Sequence, residues 1–88
     1  MATGLDDCFT QPVTAEVDAS GLRCPLPLLK AKQALRDLSP GELLRVRVTD
    51  GGSVRDFKAF AQISGHELVG FSERDSIFCY LLKKAADK

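Results

Sequence analysis

Residues 44–49 read Leu-Arg-Val-Arg-Val-Thr, with apolar and polar side chains in strict alternation. A period of two is typical of a β-strand that has one face in a core and the other toward water. We therefore predict a strand here, in a sheet that is packed on one side. Residues 50–53, Asp-Gly-Gly-Ser, follow it and predict a turn and the cap of a helix.

An amphipathic helix is predicted on each side of this strand. Apolar residues recur at spacings of three and four over residues 28–38, which predicts a first helix over about residues 25–37. A Ser-Pro-Gly run then ends this helix and turns the chain. Val54 and Phe57 begin a second apolar stripe, and the second helix is predicted to end at Gly65.

The remaining strands flank these elements. Residues 15–18 alternate between apolar and acidic side chains and predict a short first strand, while residues 67–72 and 76–83 predict an antiparallel hairpin. Strands joined through helices are normally parallel with a right-handed crossover, so both helices should cover the same sheet face. The predicted fold is α/β (α+β): a two-layer βαβαββ sandwich with a mixed four-stranded sheet, two helices on one face and the other face open.

Residues 1–13 show no period, so we predict a flexible N-terminal arm there and one domain over residues 14–88. A chain of 88 residues has room for a single core. If the first strand pairs with the central one, its outward acidic side chains should meet Arg45 and Arg47 on a wet sheet surface.

Charge and cysteine usage narrow the function. Twelve basic residues balance twelve acidic ones, which argues against a protein built to neutralise phosphates, and no direct nucleic-acid contact is expected. The chain start carries no basic leader and no long apolar run, so we expect a cytoplasmic location and no membrane contact. Cys8, Cys24, Cys79 and the single His66 are far apart in sequence, so free thiols are predicted, with no metal site and no cofactor.

The run SGLRCPLP ahead of the first helix is the candidate site. Cys24 is predicted at about the N-cap, where unsatisfied backbone N–H groups and the helix dipole favour a thiolate, and Arg23 adds a positive charge. Gly21 lets the backbone turn sharply, while Pro25 and Pro27 stiffen the first turn. The pattern indicates a presented nucleophile, although a buried cysteine ahead of a helix fits the same spacing.

Residues 17–35, VDASGLRCPLPLLKAKQAL, resemble the signature of the TusA (SirA-like) sulfur-carrier family, whose members carry a C-P-x-P motif at the start of their first helix. The resemblance extends over about residues 14–84 and implies the same βαβαββ fold. It also implies a sulfurtransferase-type carrier in which Cys24 takes sulfane sulfur as a persulfide from a cysteine desulfurase and passes it to an acceptor protein. In the family that sulfur serves tRNA 2-thiolation, molybdenum-cofactor maturation or sulfur oxidation.

Two other classes of function stay open. A thiol redox protein would use Cys24 with Cys8, and the absence of a C-x-x-C pair counts against it. A regulatory or RNA-binding adaptor would use the open sheet face, and the neutral net charge counts against that. Cys8 and Cys79 are predicted to be inert, the latter facing the open side of the sheet, and His66 is predicted to be structural.

Overall fold

The structure, a computed structural model, describes residues 7–23 and 25–85. Within these ranges the chain forms three helices and four strands. They are α1 (Asp7–Thr10), β1 (Ala15–Ala19), α2 (Leu26–Arg36), β2 (Leu43–Val48), α3 (Ser53–Ser64), β3 (Glu67–Arg74) and β4 (Ile77–Lys83). From β1 onward the order is the predicted βαβαββ, so the fold class is confirmed.

The four strands form one mixed sheet in the order β1-β2-β4-β3. β1 runs parallel to β2, while β4 is antiparallel to both β2 and β3. The β3–β4 turn is tight because Asp75 and Ser76 both adopt positive φ angles, of 53° and 67°. Two consecutive residues of this kind give a hairpin turn whose twist matches that of the strands, and short polar residues tolerate it better than β-branched ones.

The main core lies between the sheet and both long helices, as predicted. Leu35 of α2 and Phe57 of α3 are buried against Val46 and Tyr80 of the central strands. The Phe57 and Tyr80 rings stack with centroids 4.3 Å apart and an angle of 8° between their planes. Beside them the Tyr80 hydroxyl and Ser53 Oγ form a buried hydrogen bond of 2.7 Å, so the one polar group of the stack is satisfied.

The opposite sheet face is not fully open, because residues 8–13 lie against it. α1 is a single turn, too short to show a helical period in the sequence, and residues 1–6 lie outside the described residues. Cys8 is only 3% exposed and packs with Cys79 and Leu81. Phe9 lies against the Arg74 guanidinium, 4.6 Å from its ring centroid. Where a loose arm was predicted, the structure has a segment held by side-chain contacts.

Arg45 binds this segment from below. Its Nε donates to the carbonyl oxygen of Cys8 at 2.9 Å, Nη2 donates to the carbonyl of Gln11, and Nη1 pairs with Glu16 at 2.5 Å. The predicted pairing of β1 carboxylates with the β2 arginines is confirmed. The predicted wet surface is wrong at Arg45, which is 7% exposed because the N-terminal segment covers it and accepts its hydrogen bonds.

Candidate functional site

The candidate site is the connection from β1 to α2. Cys24, its predicted centre, lies outside the described residues; the residues before and after it are described. Because β1 and β2 are parallel, both strands end at the same sheet edge, and α2 and α3 begin there. In open sheets with parallel strands, the region beyond the carboxyl ends of such strands is the usual place for a functional site.

The backbone that leads into the site is held by both neighbouring strands. The Ser20 N–H donates to Asp18 Oδ1 at 3.1 Å, and the Gly21 N–H donates to Thr49 Oγ1 at 2.8 Å. The Leu22 N–H closes a turn onto the Ala19 carbonyl at 3.2 Å. Hydrogen bonds from the Ser20 side chain and backbone lower the pKa of Asp18, which keeps this acceptor ionised. The loop is thus positioned before the chain reaches Arg23.

The backbone on the far side is fixed by the first turn of α2. The Leu26 N–H donates to the Arg23 carbonyl at 2.8 Å, and the Leu29 N–H donates to the Pro25 carbonyl at 3.1 Å. Cys24 was predicted at about the N-cap; that position belongs to Pro25, whose φ of −98° and ψ of 16° are not those of a regular helix, so α2 begins at Leu26. No side-chain cap bonds this helix start, and its first turn contains no acidic residue.

These features leave the positive end of α2 free to act on an anion nearby. Pro27 is buried and holds the first turn against the core, whereas Arg23 and Pro25 are exposed. Leu26 and Leu29 are also nearly half exposed, at 48% and 46%. The described surface around the site therefore combines one cation with apolar side chains, which suits contact with another protein.

The supporting residues that sequence analysis missed are Asp18 and Thr49. The Asp-Ala-Ser order at residues 18–20 is a signal for a side chain that accepts the N–H two residues on, so the Asp18 contact could have been found. The Thr49 contact joins residues 28 positions apart, and it follows only from the parallel register of β1 and β2.

The remaining candidates lie elsewhere. Cys79 lies on the sheet face away from α2, as predicted, but there it is covered and fully buried. Cys8 is its neighbour. His66 Nδ1 accepts the Ala85 N–H at 2.9 Å, and its ring tilts against Phe60, which supports the predicted structural role. In residues 7–23 and 25–85, no cluster of three or more His, Cys, Asp or Glu is arranged to hold a metal ion. No helix of the described chain has the length and hydropathy needed to span a membrane.

Gly21 offers a direct test of the loop. Its φ of +82° is unfavourable for a residue with a Cβ, although no atom within 4 Å would clash with one. We expect Gly21→Ala to lower the free energy of unfolding by about 1 to 2 kcal/mol, measured by urea denaturation. Gly51→Ala is the matched control, since it also meets no neighbour but needs no positive φ, and it should change stability by less than about 0.5 kcal/mol. Equal effects would contradict the assignment of strain to Gly21.

A family model described as "Sulfurtransferase TusA" matches residues 15–84. The chain belongs to this family. Its TusA domain is 51% identical over 70 residues to the sulfur carrier protein TusA of Allochromatium vinosum, which covers 80% of this chain and 92% of the relative. It is 44% identical over 79 residues to the sulfur carrier protein TusA of Pseudomonas paraeruginosa, covering 90% of this chain and 100% of that protein.

A solved structure agrees with the TusA fold. The SirA-like protein from Desulfitobacterium hafniense superposes with a TM-score of 0.73 at 26% identity, covering 82% of this chain and 99% of the other. The resemblance to TusA and SirA-like sulfur carriers that residues 17–35 suggested is therefore confirmed over nearly the whole domain. Membership in a family of sulfur carriers implies work with partner proteins in sulfur relay.

Proposed function

We propose that this chain relays sulfur through Cys24, which accepts sulfane sulfur as a persulfide from a cysteine desulfurase and passes it to an acceptor protein. The observation that carries the proposal is the way residues on both sides of Cys24 are held. Gly21 and Leu22 are bonded to strand ends before it, and Arg23 and Leu26 are bonded to each other across it. A nucleophile that must meet two partners in turn benefits from such a fixed mounting.

The chemistry asks only for a thiolate in the carrier. The Cys24 thiolate attacks the outer sulfur of the desulfurase persulfide, the donor S–S bond breaks, and the donor cysteine leaves as a thiolate. Cys24 then holds an S–SH group. A thiolate of the acceptor attacks its terminal sulfur, and Cys24 leaves as the thiolate again. The carrier is neither oxidised nor reduced over the cycle, so it needs no cofactor of its own.

The neighbouring residues have distinct roles in this proposal. The uncapped start of α2 and the exposed Arg23 guanidinium favour the anionic forms of thiol and persulfide. Buried Pro27 fixes the first helical turn, while Pro25 and the turn at Gly21 keep the site at the surface. The exposed Leu26 then lies beside the site as a contact for donor or acceptor.

The rival functions receive less support. A redox exchange between Cys8 and Cys24 would require Cys8 to leave its buried contact with Cys79. RNA binding on the second sheet face would have to use Arg45 and Arg47, which already pair with carboxylates of β1. The three acceptor routes of the family need the same Cys24 chemistry. A reducing cytoplasm is the proposed location, because it keeps such a thiol free.

The test is sulfur loading of the intact chain. Incubated with a cysteine desulfurase, pyridoxal phosphate and sulfur-labelled cysteine, the protein should gain one sulfur atom that dithiothreitol removes. Peptide mapping by mass spectrometry under non-reducing conditions should place it on the peptide that contains Cys24. Label on Cys8 or Cys79 instead would refute the proposed site, because both are buried and held by one another.

A further inference from the structure

A second pair of sulfur atoms lies on the sheet face away from α2 and α3. Cys8 and Cys79 are 3% and 0% exposed and share a small apolar cluster with Leu81. Cys79 Sγ donates to the carbonyl oxygen of Cys8 at 3.1 Å, and the two side chains also hydrogen-bond to each other. Both are free thiols. The fold thus places side by side two cysteines that are 71 positions apart in sequence.

The surroundings favour a thiolate on one sulfur and a thiol on the other. Arg47 is the β2 partner of Cys79 in register, and Arg45 Nε donates to the Cys8 carbonyl at 2.9 Å. The hydrogen bond from Cys8 lowers the pKa of Cys79, with both arginine charges helping, whereas the same contact and burial raise the pKa of Cys8. A thiolate next to a protonated thiol is the arrangement that disulfide formation requires.

The pair can be reached from solvent by a small molecule. A cleft of about 370 Å³ is lined by Cys8 together with Gln11, Gly70, Ser72 and Leu81. Cys79 itself does not line this cleft. A reagent near the size of water therefore fits the approach better than a bulky disulfide does, because the sulfurs are so nearly covered.

We propose that Cys8 and Cys79 are a second, reversible redox site, which a hydroperoxide converts into an intramolecular disulfide. The Cys79 thiolate attacks one peroxide oxygen, the O–O bond breaks, and water or an alcohol leaves after taking a proton, so Cys79 becomes a sulfenic acid. The Cys8 sulfur then attacks the Cys79 sulfur and water leaves. Two thiols lose two electrons and two protons in total, and the peroxide is reduced. A dithiol reductant reverses the change.

The site is independent of the sulfur relay at Cys24, and its product has a separate consequence. A Cys8–Cys79 bond would fasten α1 and the segment that follows it to β4 of the sheet. Closing a loop of this length stabilises a protein mainly by restricting its unfolded state, so the oxidised chain should unfold at a temperature higher by at least about 5 °C.

The experiment uses the Cys24→Ser chain treated with hydrogen peroxide, so that the buried pair is the only source of thiols. We expect both thiols to disappear together, a mass loss of two hydrogen atoms, a tryptic cross-link between the Cys8 and Cys79 peptides, and a higher melting temperature that dithiothreitol reverses. Cys8→Ala and Cys79→Ala, each in that background, are the matched controls. Neither should lose mass in this way or gain thermal stability.

The unaltered chain provides a second measurement that does not depend on any variant folding. Mapping its oxidised peptides should again give the Cys8–Cys79 cross-link. A Cys8–Cys24 cross-link in the unaltered chain, disulfide-linked dimers of the Cys24→Ser chain, or separate sulfinic acids on its two thiols would each overturn the proposal. So would two thiols that stay fully reduced at peroxide concentrations that oxidise a free cysteine.

Discussion

Changing Cys24 to serine is expected to reduce desulfurase-dependent sulfur loading to below about 1% of that of the parent chain, because a hydroxyl oxygen cannot hold a dithiothreitol-labile persulfide. Transfer to any acceptor should fall with it. The backbone contacts around the site should survive, since the bonds from Leu26 to Arg23 and from Gly21 to Thr49 involve no atom of residue 24. The measurements are sulfur incorporation and circular dichroism on the same preparation.

The control for this prediction removes the other two thiols and keeps Cys24. Cys8→Ala with Cys79→Ala should load sulfur to within about twofold of the parent, because a relay needs a single sulfur in the carrier whereas a dithiol switch needs two. Full loading of the serine variant, or collapse of loading in the double alanine variant with its fold intact, would contradict the relay and favour a redox function for these cysteines.

The parts of the fold with a clear period were predictable. The alternation over residues 44–49 and the helical spacing over residues 28–38 predicted β2 and α2, because burial on one face sets both patterns. The pairing of Arg47 with Asp18 followed from the parallel neighbour strand. These features are local in sequence, or depend on one well-attested rule of chain connection.

The N-terminal segment could not be predicted in the same way. α1 is one turn, and its position depends on contacts with residues far along the chain, namely Cys8 with Cys79 and Phe9 with Arg74. The helix start at the site was predicted one residue early, since a proline at the N-cap or at the first helical position gives nearly the same sequence pattern. The apolar rim at Leu26 and Leu29 needed the observed exposure of the helix face.

Phe57 is expected to be the residue on which attachment of α3 depends most. In α3 only Phe57 and Ser53 are fully buried, and the Phe57 ring stacks on Tyr80 in the centre of the core. Phe57→Ala removes the ring and leaves a cavity that the sheet cannot fill, so the free energy of unfolding should fall by about 3 to 5 kcal/mol. Domains of this size have only about 5 to 15 kcal/mol of net stability, so the loss is severe.

Phe60→Ala on the same helix is the matched comparison. Phe60 is only half-buried, at the edge of the core near Lys32 and His66, so its removal exposes little new surface and lets water replace the ring. We expect Phe57→Ala to lower the melting temperature by at least twice as much as Phe60→Ala, with the two variants unfolded by heat under identical conditions. Because α3 begins at the sheet edge where the β1–α2 connection also lies, the Phe57 variant should lose sulfur loading in parallel with its folded fraction. Loading that disappeared while the variant stayed fully folded would instead assign Phe57 a direct part in the site.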